Sequence, residues 1–149
     1  MRTLGHGFRV CIIYFMKGEY PYGEQAALSQ LPNISISRFG FLEFCDPNNV
    51  REEEKERAKL ALETGRQAML SGEYDVVVMD EVNVAAAWKL IDIADVVSLV
   101  KARPQKVELI LTGRGADPQI IELADLVTEM VKVKHPYDKG VLSRAGIDC

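Results

Sequence analysis

A chain of 149 residues, 48% hydrophobic and 27% charged, with 6 prolines and 11 glycines, is long enough for one ordinary globular core and shows no disordered or repetitive bias. Its formal charge of -4 and isoelectric point near 5.3 exclude a general nucleic-acid binder with a basic face, so any anionic ligand must be held by a local pocket. No apolar run approaches a membrane span and no charged-then-apolar signal region opens the chain, so one domain over residues 1–149 in a soluble, cytoplasmic protein is expected.

The elements follow in chain order. Phe8 to Phe15 (FRVCIIYF) is a nearly continuous apolar run entered from Gly5-His6-Gly7 and left at Lys17-Gly18, which predicts a strand buried on both faces. Ile34 to Phe39 is a weaker, alternating strand. The segment from Asn49 to Leu70 opens with an Asn-x-x-Glu capping pattern, Asn49 with Glu52, and sets Ala58, Ala61, Leu62, Gly65 and Met69 along one face of a long amphipathic helix ended by Gly72. Its charge run REEEKER reads as a solvated helix face. Val76 to Met79 predicts a strand running straight into Asp80-Glu81. Asp92 caps a helix carrying Ile93, Val96, Val97 and Val100 on one face and closed by Arg103-Pro104. Val107 to Leu111 is a strand delivering Thr112-Gly113-Arg114-Gly115, and Asp117-Pro118 starts a last helix through Ile120, Ile121 and Ala124. Such alternation indicates an α/β fold with a mostly parallel sheet flanked by helices, where ligands sit beyond the carboxyl ends of the strands.

Those ends carry the chemistry. Asp80 and Glu81 follow a buried strand, which suits carboxylates that hold a hydrated Mg²⁺ against phosphate oxygens; the same pattern also merely caps helices. Arg114 between glycines offers a forked partner for a polyphosphate, although Gly-Arg turns are common in plain loops. The C-terminal stretch gathers Lys132, Lys134, His135, Lys139 and Arg144, either as positive potential for an anion or as a solvated tail. His135 before Pro136 reads as a fixed turn and His6 as a loop residue. Of the three cysteines, Cys11 reads as a core thiol, with Cys45 and Cys149 incidental, and neither a zinc site nor a disulfide scaffold is indicated. No Ser-His-Asp or Cys-His arrangement is visible.

Taken together, LGHG (Leu4–Gly7), FMKG and YGE (Phe15–Glu24), VVVMDEVNVA (Val76–Ala85), ELILTGRG (Glu108–Gly115), ADLVTEM (Ala124–Met130) and KHPYDKGV (Lys134–Val141) resemble the ATP:corrinoid adenosyltransferases of bacterial cobalamin synthesis. The resemblance implies a P-loop NTPase-like (RecA-like) fold and transfer of the 5′-deoxyadenosyl group of ATP to Co(I) of a corrinoid, releasing triphosphate. It implies Mg²⁺ at Asp80 and Glu81, nucleotide near Arg114 and Arg2, and a corrin-facing Phe41. Phe44 would take the role that some members give to a tryptophan. An electron-donating flavoprotein and a homodimer are further implied.

Family members open with a strand and a glycine-rich loop ending in Gly-Lys-Thr, and no GxxxxGK[ST] occurs in this sequence. Met1 matches a position inside the helix after that loop. The expectation is therefore a sheet lacking its first strand, whose neighbour keeps an open edge that dimerisation or strand exchange could cover. A non-catalytic corrinoid-binding or regulatory relative is the alternative reading.

Overall fold

The fold is described by a computed structural model covering residues 1–18, 23–43, 45–144 and 146–147. The chain runs through α1 (Arg2–Gly5), β1 (Val10–Phe15), α2 (Gly23–Leu28), β2 (Ile34–Phe39), α3 (Glu52–Leu70), β3 (Val76–Asp80), α4 (Val82–Ala87), α5 (Ile93–Lys101), β4 (Glu108–Leu111) and α6 (Pro118–Leu123). The four strands form one sheet in the order β2-β1-β3-β4, and every neighbouring pair is parallel. The expected α/β class holds.

Burial explains which strands lie inside. Cys11, Ile13, Phe15, Val77 and Met79 are buried on one face and Val10, Tyr14 and Val76 on the other, so β1 and β3 are covered on both faces and carry almost nothing but apolar residues. Helix α3 lies against β1, β2 and β3, and its Ala58, Ala61, Leu62 and Met69 join that core as their spacing predicted. Strand β4 alternates, with Glu108 and Ile110 outward, as an edge strand should. Strand β2, the other edge, is half-buried along most of its length rather than alternating.

Several expectations need correction. Inside the sheet β1 pairs with both β2 and β3, and β3 with both β1 and β4, so the edges open to a partner are those of β2 and β4. Phe8 is half exposed and precedes the strand, whose ladder begins at Val10. Helix α3 is capped not by Asn49 with Glu52 but two residues later, where the Glu54 carboxylate accepts from the Arg51 backbone N–H at 2.8 Å and from the Arg51 guanidinium at 3.0 Å. Glu54 is consequently buried, so REEEKER is not solvated throughout. Helices α2 and α4 had no counterpart in the sequence reading. The caps at Asp92 and Asp117 hold, each carboxylate accepting from the backbone N–H two residues on, at 2.9 Å.

The turns leaving β1 and β2 press against each other backbone to backbone. A side chain at Gly40 would meet the Met16 carbonyl carbon at 2.5 Å and the Lys17 nitrogen at 2.7 Å, and one at Gly18 would strike the Phe41 carbonyl. Since backbone cannot swing aside as a side-chain tip can, Gly40→Ala should lower the unfolding free energy by about 1–3 kcal/mol. Urea denaturation followed by circular dichroism measures this; an unchanged midpoint would show that the two turns are not in contact.

Candidate nucleotide and metal site

Parallel register brings three chain segments to one level at the carboxyl edge of the sheet. Tyr14 of β1 lies beside Asp80 of β3, and Met79 of β3 lies beside Leu111 of β4, so the next residue of β4's exit, Thr112, faces Asp80. The Thr112 backbone N–H confirms the register by donating to the Met79 carbonyl at 3.1 Å.

Asp80 is held on both oxygens. The Thr112 hydroxyl donates to Oδ1 at 2.8 Å, and the Lys17 ammonium donates to Oδ2 at 2.8 Å. The same Thr112 oxygen accepts the Glu81 backbone N–H at 3.0 Å, so one hydroxyl joins the exits of β3 and β4. Lys17 also lies 4.6 Å from the centre of the Tyr14 ring, a cation–π contact. Burial works against the Lys17 charge, but the hydrogen bond and attraction to Asp80 outweigh it and raise its proton affinity.

Glu81 has a different environment. It stands in the left-handed backbone region, φ 67°, at the sharp turn into α4. Burial, and then the neighbouring Asp80 charge, push its carboxyl above the usual range, with Lys17 and Arg114 partly opposing the rise. A desolvated carboxylate beside another is what an incoming cation relieves, and Mg²⁺ needs only one or two carboxylates when phosphates and water complete its shell. The pair fits that ion by donor chemistry. Among the described residues no group of three or more His, Cys, Asp or Glu side chains converges on a metal position.

Arg114 is exposed on a loop whose flanking glycines lie against α4: at φ 117°, Gly113 sits where a side chain would meet the Val84 nitrogen at 3.1 Å and the Glu81 Cα at 3.2 Å. The buried Asn83 reaches this loop from the other side, its backbone N–H donating to the Thr112 carbonyl at 3.2 Å. Thus Asp80, Glu81 and Arg114 share one region, and Lys17, Thr112 and Asn83 are members that sequence reasoning did not single out as site residues. All three lie within the strings that carry the resemblance, FMKG, ELILTGRG and VVVMDEVNVA, but only the register reveals their contacts.

Arg2 does not join this group. It is exposed in α1, whose turn is tied to the chain before β1 by the Phe8 N–H to Thr3 carbonyl bond of 3.3 Å, at the amino end of that strand. Phe41 lies beyond β2, its ring flanked by the guanidinium groups of Arg51 and Arg57 at 5.0 and 5.4 Å. It lines a depression with Met16, Glu43, Cys45, Glu54 and Arg57. Phe44 and Cys149 fall outside the described residues. Cys11 is a buried core thiol, pushed up to about 11 by burial, and Cys45 rises to about 11 through burial and then Glu54. The basic C-terminal residues Lys132, Lys134, His135 and Lys139 are exposed, and Lys132 pairs with Asp138 at 2.8 Å. His135 fixes its turn as expected, its Nδ1 accepting the Tyr137 N–H at 3.1 Å.

A parallel sheet flanked by helices, with carboxylates and cations together at its carboxyl edge, defines an α/β protein of the class whose ligand sites lie beyond that edge. No helix among the described residues is long and apolar enough to cross a membrane. The chain matches the ATP:corrinoid adenosyltransferase BtuR/CobO/CobP family over residues 1–149. It is 33% identical over 148 residues to the corrinoid adenosyltransferase of Pseudomonas aeruginosa PAO1, covering 99% of this chain and 72% of that protein. It is 32% identical to the corrinoid adenosyltransferase of Escherichia coli K12 and 33% identical to corrinoid adenosyltransferase CobA of Salmonella typhimurium LT2, again over 99% of this chain and 74% of each relative. The chain belongs to the ATP:corrinoid adenosyltransferase family, a family of transferases.

Because the Thr112 hydroxyl serves two partners, Thr112→Val should lower the unfolding free energy by about 1–2 kcal/mol while Thr112→Ser retains most of it. Equal losses in the two variants, measured by urea titration, would show that the hydroxyl bonds are not what matters.

Proposed function

We propose that this chain transfers the 5′-deoxyadenosyl group of ATP to Co(I) of a corrinoid and releases inorganic triphosphate. The observation that carries this reading is the cluster of Asp80, Glu81, Thr112 and Lys17 at the carboxyl edge, with Arg114 beside it, in a chain whose family is named for that reaction.

In the proposed reaction the cobalt of the substrate supplies the electron pair that forms the Co–C bond to C5′. The C5′–O bond breaks and its electrons leave with triphosphate. The protein's task is therefore to orient ATP, stabilise the departing negative charge and exclude competing ligands from cobalt. Asp80 and Glu81 would hold Mg²⁺, which when bound neutralises charge on the triphosphate. Arg114 would pair with phosphate oxygens through its forked donors. Arg2 is assigned to the nucleotide by family resemblance alone, and nothing in its position supports the assignment.

Phe41 would lie against the corrin ring. Its position supports this in one respect: the ring lies across a shallow depression next to the turn that carries Lys17, so a corrinoid resting on it would lie close to the nucleotide cluster. Phe44 is proposed for the same face by resemblance. Reduction to Co(I) calls for an electron donor, which the resemblance makes a flavoprotein.

Two measurements test the reading. Titration calorimetry with MgATP should give saturable binding, followed by adenosylation of a reduced corrinoid detected by its visible spectrum; corrinoid binding with no nucleotide binding would assign a non-catalytic role instead. Phe41→Ala should slow reduction of bound Co(II) by about tenfold or more while changing ATP affinity by less than about threefold. Unaltered reduction would remove Phe41 from the corrin face.

A further inference from the structure

Lys17 is placed for more than balancing charge. Its ammonium holds Asp80 Oδ2 at 2.8 Å, and both side chains retain partial access to solvent, 27% and 23% exposed. The backbone beneath it is pinned, because the turn 16–18 is packed without clearance on Gly40 and Phe41. Only the four-carbon stem is left to move, and such a stem carries a compact charge with three donors that reorients readily. Tyr14 supports the ammonium from one side, with the ring centre 4.6 Å away.

Asp80 cannot give the same lone pairs to Lys17 and to a divalent cation at full strength. Two positive centres on one carboxylate oxygen also repel each other in a partly desolvated pocket. We propose that Lys17 is the resident counter-cation of Asp80 and exchanges that carboxylate for a phosphate oxygen when metal and polyphosphate enter together. Before entry, Lys17 neutralises Asp80. Afterwards the metal neutralises Asp80 and Lys17 pairs with a phosphate oxygen, so Asp80 has a counter-cation at both stages. The exchange makes metal binding weak in the absence of polyphosphate and strong in its presence. Lys17 is then a positioning residue for the unbound carboxylate and a ligand-binding residue in the loaded site. This rests on the reading above that Asp80 meets the metal, but it requires neither ATP turnover nor a corrinoid.

The probes are Mn²⁺ alone and the preformed Mn²⁺–inorganic triphosphate complex, with free Mn²⁺ read by electron paramagnetic resonance on the full chain. Lys17→Met should bind Mn²⁺ alone about tenfold more tightly than the unaltered chain, because its competitor is gone, and the triphosphate complex about tenfold more weakly. Lys17→Arg, which keeps the charge, should shift the first affinity far less. The gain should vanish in the Lys17→Met/Asp80→Asn pair, where the contested carboxylate is absent. A purely structural lysine predicts a different pattern, with both affinities falling in Lys17→Met, and that result overturns the proposal, as does an unchanged affinity for Mn²⁺ alone. Lys17→Gln provides the same comparison if the methionine variant fails to fold, as judged by circular dichroism. Failure of adenosylation together with opposite shifts in the two Mn²⁺ titrations would refute the proposed reaction while leaving the exchange standing.

Discussion

The carboxyl edge of this protein depends on the satisfaction of one half-buried carboxylate. Asp80 sits at the end of an inner strand, where its desolvation has to be offset, and two donors from distant parts of the chain supply that offset. Lys17 arrives from the exit of β1, 63 residues away in sequence, and Thr112 from the exit of β4, 32 residues away. Binding one carboxylate thus draws three strand exits to a common point. The position of Arg114 follows, since its loop leaves directly from Thr112, and so does the cramped setting of Glu81, whose backbone N–H the same hydroxyl receives.

Close backbone packing provides the second constraint. Gly18 and Gly40 let the turns after β1 and β2 touch, which sets the Lys17 turn against the Phe41 turn, while Gly113 lets the arginine loop rest on the first turn of α4. Helix α3 then closes the region from the side. Its capping pair of Arg51 and Glu54 does more than start the helix, because the Arg51 guanidinium also flanks the Phe41 ring. A helix cap, an aromatic ring and the cluster around Asp80 are therefore parts of one packed surface rather than separate features.

The elements most legible in the sequence were those with a single dominant cause. Unbroken apolar runs marked β1 and β3 because strands covered on both faces tolerate little else, and Asp92 and Asp117 marked helix starts because their carboxylates satisfy orphan backbone donors locally. The errors came where local and tertiary causes compete. Asn49 and Glu52 fit a capping pattern better than Arg51 and Glu54 do, but burial of Glu54 against the body of the protein set the helix start at Arg51. Phe8 continued an apolar run and yet lies outside the sheet, since the ladder had to begin where Val10 meets Ile34 and Val76. Helix α4 escaped notice because its six residues, VNVAAA, show no usable period and owe their shape to packing beneath the arginine loop.

By itself the sequence determined the fold class and the family, and it marked Asp80, Glu81 and Arg114 as lying at strand ends, because each of these is written in short contiguous strings. Only the tertiary structure decided that Lys17 and Thr112 share Asp80 and that Arg2 stands apart at the amino end of β1. It also decided that Phe41 lies between two guanidinium groups of α3 and its cap. Parallel strands explain the difference: their register is set by long crossovers and by packing on both faces, so the residues that meet at the sheet's edge come from segments whose separation in sequence carries no trace of their contact.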